Sequence, residues 1–449
     1  MKILFFCPKW TGTYGLFAHF ARKSSIIPPL NLTYIAAVAE KEHEVKIVDC
    51  ELEDISPEKL LEIIGEYQPH LIGTTSTTPT AHFTVAYARK IKENFDIPIA
   101  LGGSHITVLK DRAFEDCFDY GFMGESEESW RLFLENRDIS RVKRKLYGEI
   151  PVDIDSIPFP ALHLLKMDRY KLGTIYGVKR VAPLLTSRGC PFKCIFCTTD
   201  VFGKKVRRQQ VGMVVNEMIR AINKFHTEHF FIFDDTLTLD REYILKLCNL
   251  IIKNKLGITF EGSTRANLVD EEVISTMAGA GLVRLSFGLE SVNPDIRRII
   301  RKEVPLEAYS IANRLTNKYK IETLNSCMIG LPGETRETIK ETLDFLGKAK
   351  EVKQANLAIA VPYPGTELYG MAKRGDYGLK LLTEDFSKFW RYGSAVMQVG
   401  DLTPKDLIRL QNDAFLSIYS APWRWGSLFK KQGIMGFLLM FVRLIRRFL

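Results

Sequence analysis

Over roughly the first 140 residues, short apolar runs alternate with amphipathic segments. Strands are expected at Lys2 to Phe6, Val45 to Val48, His70 to Thr75, Pro98 to Leu101 and Asp119 to Met123. Helices fall between them; Leu32 to Lys41, for example, sets Leu32, Ile35, Ala36 and Ala39 on one face. The alternation predicts an α/β fold whose first domain, residues 1–140, is an open parallel sheet of flavodoxin or Rossmann type. Residues 141–180, with Pro151, Pro158, Pro160 and mixed polarity, read as a linker. From Val181 the alternation resumes, with strands expected at Pro183 to Thr186, Phe230 to Phe233, Thr259 to Ser263, Val283 to Phe287, Thr323 to Ile329 and Leu357 to Val361. Six such units over 181–380 predict a partial, TIM-like (β/α)6 barrel with its site at the C-terminal face of the strands. Residues 381–449 form a helical extension.

In an open α/β sheet the ligand lies beyond the carboxyl ends of the strands. Those ends read Cys7-Pro8, Asp49-Cys50, Thr74 to Thr78, Gly102-Gly103-Ser104-His105 and Gly124-Glu125. A nicotinamide domain would place G-x-G-x-x-G after the first strand, and Cys7-Pro8-Lys9-Trp10 stands there instead, so that reading fails. The hydroxyl run containing Thr75 and Ser76, with the double glycine Gly102 and Gly103, suits a long ligand laid against close backbone. Turn chemistry alone would also account for either feature.

Composition adds limits. A 46% hydrophobic content with both charge signs reads as globular. Eight scattered cysteines make no disulfide scaffold, and the charged start runs directly into a strand without a signal peptide, so a reducing, cytoplasmic setting is expected. Of the net +9, six charges (Arg424, Lys430, Lys431, Arg443, Arg446, Arg447) follow the last acidic residue, Asp413. The basicity belongs mainly to the tail and gives no reason to infer nucleic acid.

The decisive stretch is Ser187 to Cys197, which places Cys190, Cys194 and Cys197 at C-x3-C-x2-C spacing. Three thiolates can hold one cubane iron–sulfur cluster while leaving its fourth iron without a protein ligand. A closed zinc site needs a fourth ligand, and the next cysteine is Cys248.

With Phe196 inside it and a strand and a glycine before it, this loop resembles the cluster loop of the radical S-adenosylmethionine (radical SAM) enzymes. The resemblance implies that Cys190, Cys194 and Cys197 ligate a [4Fe–4S] cluster and that Phe196 lies beside the cluster and the adenine. The open iron would chelate S-adenosylmethionine, and an electron from the cluster would release a 5′-deoxyadenosyl radical. Together with the first domain, residues 1 to about 375 resemble the cobalamin-binding radical SAM family, in particular the anaerobic magnesium-protoporphyrin ester cyclase branch. Matching stretches are Pro28 to Leu32, Gly102 to His105 where the family has G-G-x-H, and Gly124-Glu125 with Glu127. The resemblance implies cobalamin at Thr75, Ser76, Gly102, Gly103 and Gly124. The D-x-H-x-x-G sequence that supplies a lower cobalt ligand in methionine-synthase domains is absent. His19, His82 and His105 are candidate substitutes, and cobalt with water or nothing below it is the expected state.

By the same resemblance, polar strand ends of the barrel surround S-adenosylmethionine. Asp235, in Asp234-Asp235-Thr236, stands where glycine-rich members meet the methionine amino group, though those glycines are missing here. Arg265, after Ser263-Thr264, and Glu290, in Gly288 to Ser291, stand where the family meets carboxylate and ribose; Gly330, in Gly330 to Thr335, resembles the turn beside adenine. Capping and turn chemistry explains each of these alone; their recurrence after successive strands singles them out. Cys248 and Cys327 read as core thiols.

Pro422-Trp423-Arg424-Trp425 leads into Ile434 to Leu449, whose apolar run is too short to span a bilayer. A broad apolar face beside Arg443, Arg446 and Arg447 fits an interfacial helix with tryptophan anchors at the inner membrane surface, or a helix packed on protein.

The expected function is cobalamin-dependent methyl transfer to an unactivated carbon of a small or lipid-like substrate, fed by a donor such as flavodoxin or ferredoxin. Radical cyclisation or hydroxylation of a tetrapyrrole- or lipid-like substrate is the variant. Methylthiolation is the rival, with a second cluster on Cys7, Cys50 and Cys117. A non-catalytic cobalamin sensor is the third reading.

Overall fold

The computed structural model describes residues 1–10, 26–135, 145–148, 153–174, 176–199, 201–419 and 421–425. Its first sheet joins β1 (Lys2–Cys7), β2 (Glu44–Asp49), β3 (Leu71–Thr75), β4 (Ile99–Gly102), β5 (Tyr120–Phe122) and β6 (Lys145–Tyr147) in the order β2-β1-β3-β4-β5-β6. Every pairing is parallel. Alternate side chains feed two cores. Leu4, Phe6, Val48, Ile72 and Leu101 face one way, against Leu60, Ile64, Tyr87 and Ile91. Ile3, Phe5, Ile47, Leu71 and Ala100 face the other, against Leu32, Ala36, Trp130 and Phe133. Burial on both faces is why these strands are continuous apolar runs rather than alternating ones. The order reverses between β1 and β3, and a ligand crevice opens at such a switch point.

The stretch 141–180 contributes to both sheets. β6 extends the first, while β7 (Lys171–Thr174) runs antiparallel to β8 (Gly177–Leu184) at the edge of the second. The second sheet continues to β11 (His229–Ile232), β12 (Thr259–Thr264), β13 (Leu282–Glu290), β14 (Glu322–Ile329) and β15 (Gln354–Ile359), while β9 (Ser187–Arg188) and β10 (Arg207–Arg208) form a separate pair. Its order is β15-β14-β13-β12-β11-β8-β7, with β8 and β11 to β15 all parallel, which makes the six-stranded partial barrel. Two strands differ from expectation: the first barrel strand begins at Gly177 and ends at Leu184, and the last spans Gln354–Ile359 rather than Leu357 to Val361.

The barrel is open at β15, and an unpaired strand edge needs a cover. The helix Pro404–Tyr419 supplies it: Gln411 Nε2 donates to Leu357 O at 2.8 Å and the Tyr419 hydroxyl donates to Ala355 O at 2.8 Å. A small antiparallel pair, β16 (Leu379–Leu381) with β17 (Met397–Val399), precedes this helix. Arg424 is fully buried, donating to Leu346 O, Val352 O and Ile418 O, and Trp425 Nε1 donates to Tyr419 O at 2.9 Å. Trp425 is therefore engaged with the barrel, whereas Trp423 is exposed. The expected interfacial helix lies outside the described residues, among which no helix is long and apolar enough to cross a membrane.

Candidate active site

The cysteine motif sits in a loop closed at its base by β9 (Ser187–Arg188) and β10 (Arg207–Arg208), paired antiparallel. Asp234, buried at the end of β11, holds the entry to that loop. Its carboxylate accepts the backbone N–H of Thr186 (2.7 Å) and of Ser187 (3.2 Å) and both hydroxyls, at 2.5 and 2.6 Å. Burial raises its pKa, and these hydrogen bonds work against the rise. Gly189 has φ +98°, and a Cβ there would stand 2.4 Å from Lys205 O, so the turn into Cys190 requires glycine. Ile195 pins the far side of the loop: its N–H donates to Ile300 O at 3.4 Å, and its carbonyl accepts from Leu368 N–H at 2.9 Å.

Two of the three thiols, Cys194 and Cys197, meet positive charge. Cys190 Sγ lies 4.0 Å from Thr236 Oγ1, and Cys194 Sγ lies 3.9 Å from Arg265 Nη1. Burial raises the Cys194 pKa, while Lys302 and Arg265 pull it down. Arg265, Arg297 and Lys302 are all buried. The buried carboxylate among them is Glu290, 3.5 Å from Lys302 Nζ; burial lifts its pKa against the pull of the same three cations. Arg265 Nε and Arg297 Nη2 are buried without a hydrogen-bond acceptor.

Glu290 owes its position to a break in β13. The β13–β14 register shifts between Gly288 and Glu290, and Glu290 takes φ +62°. A bulge re-aims a side chain, and a non-glycine residue in the left-handed region is a local cost retained where a site needs it. Gly288 makes the room, since a Cβ there would stand 2.4 Å from Glu290 Oε1.

Among the other expected site residues, Phe196 packs partly buried on the barrel core, and Asp235 is exposed. Gly330, at φ +83°, donates its N–H to Glu334 Oε2 at 2.7 Å, with Leu331 N–H donating to the same oxygen at 3.0 Å. Burial pushes the Glu334 carboxyl up to about 8. A Cβ at Gly330 would point toward Leu407, on the covering helix. Sequence reasoning missed Asp234, Arg297 and Lys302. The dense basic run Arg297 to Lys302 directly after Glu290 was the available signal for two of them.

At the first sheet, Thr75 Oγ1 accepts from Asn31 Nδ2 at 2.7 Å. Ser76 is buried with its hydroxyl unpartnered, while its N–H donates to Gly102 O at 3.0 Å. Gly103, at φ +101°, leaves no room for a Cβ, which would stand 2.4 Å from Ser76 O. Gly124 N–H donates to Thr107 Oγ1 at 3.0 Å. The loops after β3, β4 and β5 thus form one cradle. His105 Nδ1 lies 3.1 Å from Thr78 Oγ1, and burial pushes its pKa down to about 4. His82 packs against Phe83, with ring centroids 3.9 Å apart; His19 lies outside the described residues. The thiols of Cys7 and Cys50 are raised by burial and raised again by Asp49 and Glu51, the opposite of the cationic setting around Cys194.

A model of the radical SAM superfamily matches residues 184–346, and a model of the B12 binding domain matches residues 20–133. An uncharacterized methyltransferase of Pyrococcus horikoshii is 31% identical over 417 residues, covering 88% of this chain and 88% of its own length. The chain belongs to the cobalamin-binding radical SAM family. Another member, the anaerobic magnesium-protoporphyrin IX monomethyl ester cyclase of Rubrivivax gelatinosus, is 29% identical over 391 residues, covering 81% of this chain and 68% of its own. In fold, the chain is similar to the radical SAM methyltransferase TsrM of Kitasatospora setae: TM-score 0.70, 16% identity, 94% of this chain and 89% of that one.

A radical SAM enzyme of this family uses a [4Fe–4S] cluster, S-adenosylmethionine and cobalamin, acts on a small molecule and needs a reductant. The residues fit these groups. Three buried cations around one buried carboxylate leave positive charge uncompensated, and two of them carry orphan N–H groups. A cluster with three thiolates and the methionine carboxylate are anions of the right sign. Among the described residues no three metal-ligating side chains are grouped around one ion; in a cubane each thiolate holds a different iron, so its ligands stand farther apart. In the first sheet, the unpartnered Ser76 hydroxyl and the bare backbone at Gly103 offer a polar contact and close approach to a corrinoid.

Proposed function

We propose that this chain is a cobalamin-dependent radical SAM methyltransferase acting on an unactivated carbon of a small or lipid-like molecule. The observation that carries the reading is the convergence of Cys190, Cys194 and Cys197 with Arg265, Lys302 and Glu290 at the mouth of a barrel. That barrel is joined to a sheet whose β3, β4 and β5 loops form a second cradle.

When bound, the cluster supplies the electron that cleaves S-adenosylmethionine, and cobalamin carries the methyl group. The chain's own residues bind and orient. Cys190, Cys194 and Cys197 hold the cluster, with Phe196 beside it. Arg265 and Lys302 face the methionine carboxylate, Glu290 receives the ribose hydroxyls, and the exposed carboxylate of Asp235 is free to meet the amino group. The Gly330 turn is assigned to the adenine. Thr75, Ser76, Gly102, Gly103 and Gly124 hold the corrinoid. An acidic carrier of the flavodoxin or ferredoxin type supplies the electron, docking on exposed Lys193, Lys204 and Lys205 of the cluster loop.

The test is anaerobic incubation of the reconstituted enzyme with methyl-deuterated S-adenosylmethionine and lipid or tetrapyrrole extracts. Labelled methyl in a product, with 5′-deoxyadenosine and S-adenosylhomocysteine both formed, supports methyl transfer. 5′-Deoxyadenosine and a cyclised or hydroxylated product without label would favour the cyclisation or hydroxylation variant instead. Docking is checked with Lys193, Lys204 and Lys205 changed to Glu: cleavage driven by flavodoxin should fall, and cleavage driven by dithionite should not.

A further inference from the structure

We propose that Glu125 and Glu127 are positioning residues that bolt the cluster loop to the cobalamin domain and so set the separation of the two cofactors. Arg188 donates through Nη1 to Glu125 Oε2 at 2.7 Å and through Nη2 to Glu127 Oε1 at 2.6 Å. Arg207, its partner across β9–β10, pairs with the other Glu125 oxygen, Oε1. The Arg188 side chain is 3% exposed and that of Glu125 is 0% exposed. The rings of Tyr34 and Phe202 lie 5.4 and 5.3 Å from the Arg188 guanidinium.

The network lies within two residues of each cofactor loop. Arg188 is joined to Cys190 through Gly189 alone, whose φ of +98° and contact with Lys205 leave no slack. Two residues span at most about 7 Å, so any drift of Arg188 is carried to the first cluster thiol. On the other side Glu125 follows Gly124, whose N–H is tied through Thr107 to the helix after Gly103. Glu127 opens the helix Glu127–Glu135, where a carboxylate is favoured.

Adhesion alone does not account for this arrangement. A buried ion network is no more stabilising than apolar packing of the same volume, because each charge is desolvated. It does fix direction: a planar guanidinium spanning two carboxylates, with a second arginine on one of them, allows one docking geometry. Methyl transfer on the reading above needs the corrin and the radical to address one carbon, which requires that fixed geometry. The inference rests on that reading for its purpose, but its tests do not.

In the full-length, cofactor-free chain, Glu127→Gln and Arg188→Lys should raise amide hydrogen exchange across Ser187–Arg208 at least tenfold, with β3 and β13 unchanged. In the loaded protein, pulsed electron paramagnetic resonance between cob(II)alamin and the reduced cluster should give one narrow distance in the wild type. Both variants should broaden it at unchanged iron and cobalt content. Glu125→Gln, which removes the charge that both arginines meet, should show the larger effect. Unchanged exchange and an unchanged distance overturn the proposal, and so does a loss of protection spread evenly through the chain, which would mark the network as structural only. Absence of methylated product with these shifts present would count against methyl transfer and leave the clamp standing.

Discussion

Arg265 lies with its guanidinium 3.7 Å from the centre of the Phe192 ring and its Nη1 3.9 Å from the Cys194 sulfur. Phe192 of the cysteine loop thus holds a cation from the end of β12 against the Cys194 thiol. That charge is buried, and a buried charge acts strongly on whatever is reduced beside it.

Removing it should make the cluster harder to reduce. In Arg265→Met, iron content should be kept and the cluster potential should fall by an amount on the order of 100 mV, as for a unit charge acting over a few ångströms at an effective dielectric constant near 20. Arg265→Lys should keep most of the potential but lose the stacking on Phe192. A spectroscopically monitored redox titration without S-adenosylmethionine measures this; equal potentials in wild type and Arg265→Met would remove Arg265 from the cluster's surroundings.

The cysteine assignment makes a categorical claim. Cys190→Ala, Cys194→Ala and Cys197→Ala should each abolish cluster absorbance and reductive cleavage, because two thiolates do not hold a cubane. Cys248→Ala should keep both, since Cys248 lies buried in the barrel core. Iron should count about four per chain, and a Cys7/Cys50/Cys117 triple variant should keep all of it. Loss of half the iron there would instead establish a second cluster.

Much of this was legible in the sequence, and the reason is physical. Parallel strands buried on both faces are apolar runs, so β1 announces itself; three cysteines within eight residues have few other uses. What stayed hidden depends on tertiary partners. β6 and β7 are short and polar enough to look like loop, and they are strands because β5 and β8 offer them edges. The hairpin of β9 and β10 has two residues per strand, held by Asp234 and the carboxylates of another domain. Lys302 is twelve residues beyond Glu290 in the chain, past the helix Pro294–Ile299, and the two meet only in the folded chain.

Glu217 should make stability depend on pH. It is buried on the helix Val211–Phe225, neither carboxylate oxygen has a hydrogen-bond partner, and burial pushes its pKa from 4.5 to about 8. The unfolded chain releases this proton near pH 4.5 and the folded chain near 8, so between those values the fold binds a proton that the unfolded chain does not. Raising the pH through that window therefore removes stability, by at most about 5 kcal/mol. Glu217→Gln should match wild type near pH 5 and exceed it above pH 8 in urea unfolding of the reduced, cofactor-free chain. The same pH slope in both proteins would show that Glu217 is hydrated and ionised in the fold.

The last prediction concerns the lower face of cobalt. No D-x-H-x-x-G sequence is present, and of the described histidines near the β3 and β4 loops, His105 is the one set within the cradle. Its ring is already committed: Nδ1 sits 3.1 Å from Thr78 Oγ1, and the edge of Phe386 meets the ring with centroids 5.5 Å apart at 82°. Its backbone N–H is also bound, to Ser76 O at 3.2 Å, so swinging the imidazole toward a corrin would break a buried hydrogen bond and an aromatic contact together. A neutral histidine with its pKa near 4 has the lone pair for ligation, but not the freedom to deliver it. Electron paramagnetic resonance of the cob(II)alamin form, prepared without oxygen, should therefore show no nitrogen splitting, in wild type, His105→Ala and His82→Ala alike. Splitting in the wild type that vanishes in His105→Ala would mean that the Thr78 and Phe386 contacts give way on loading, and that this histidine is the cobalt ligand.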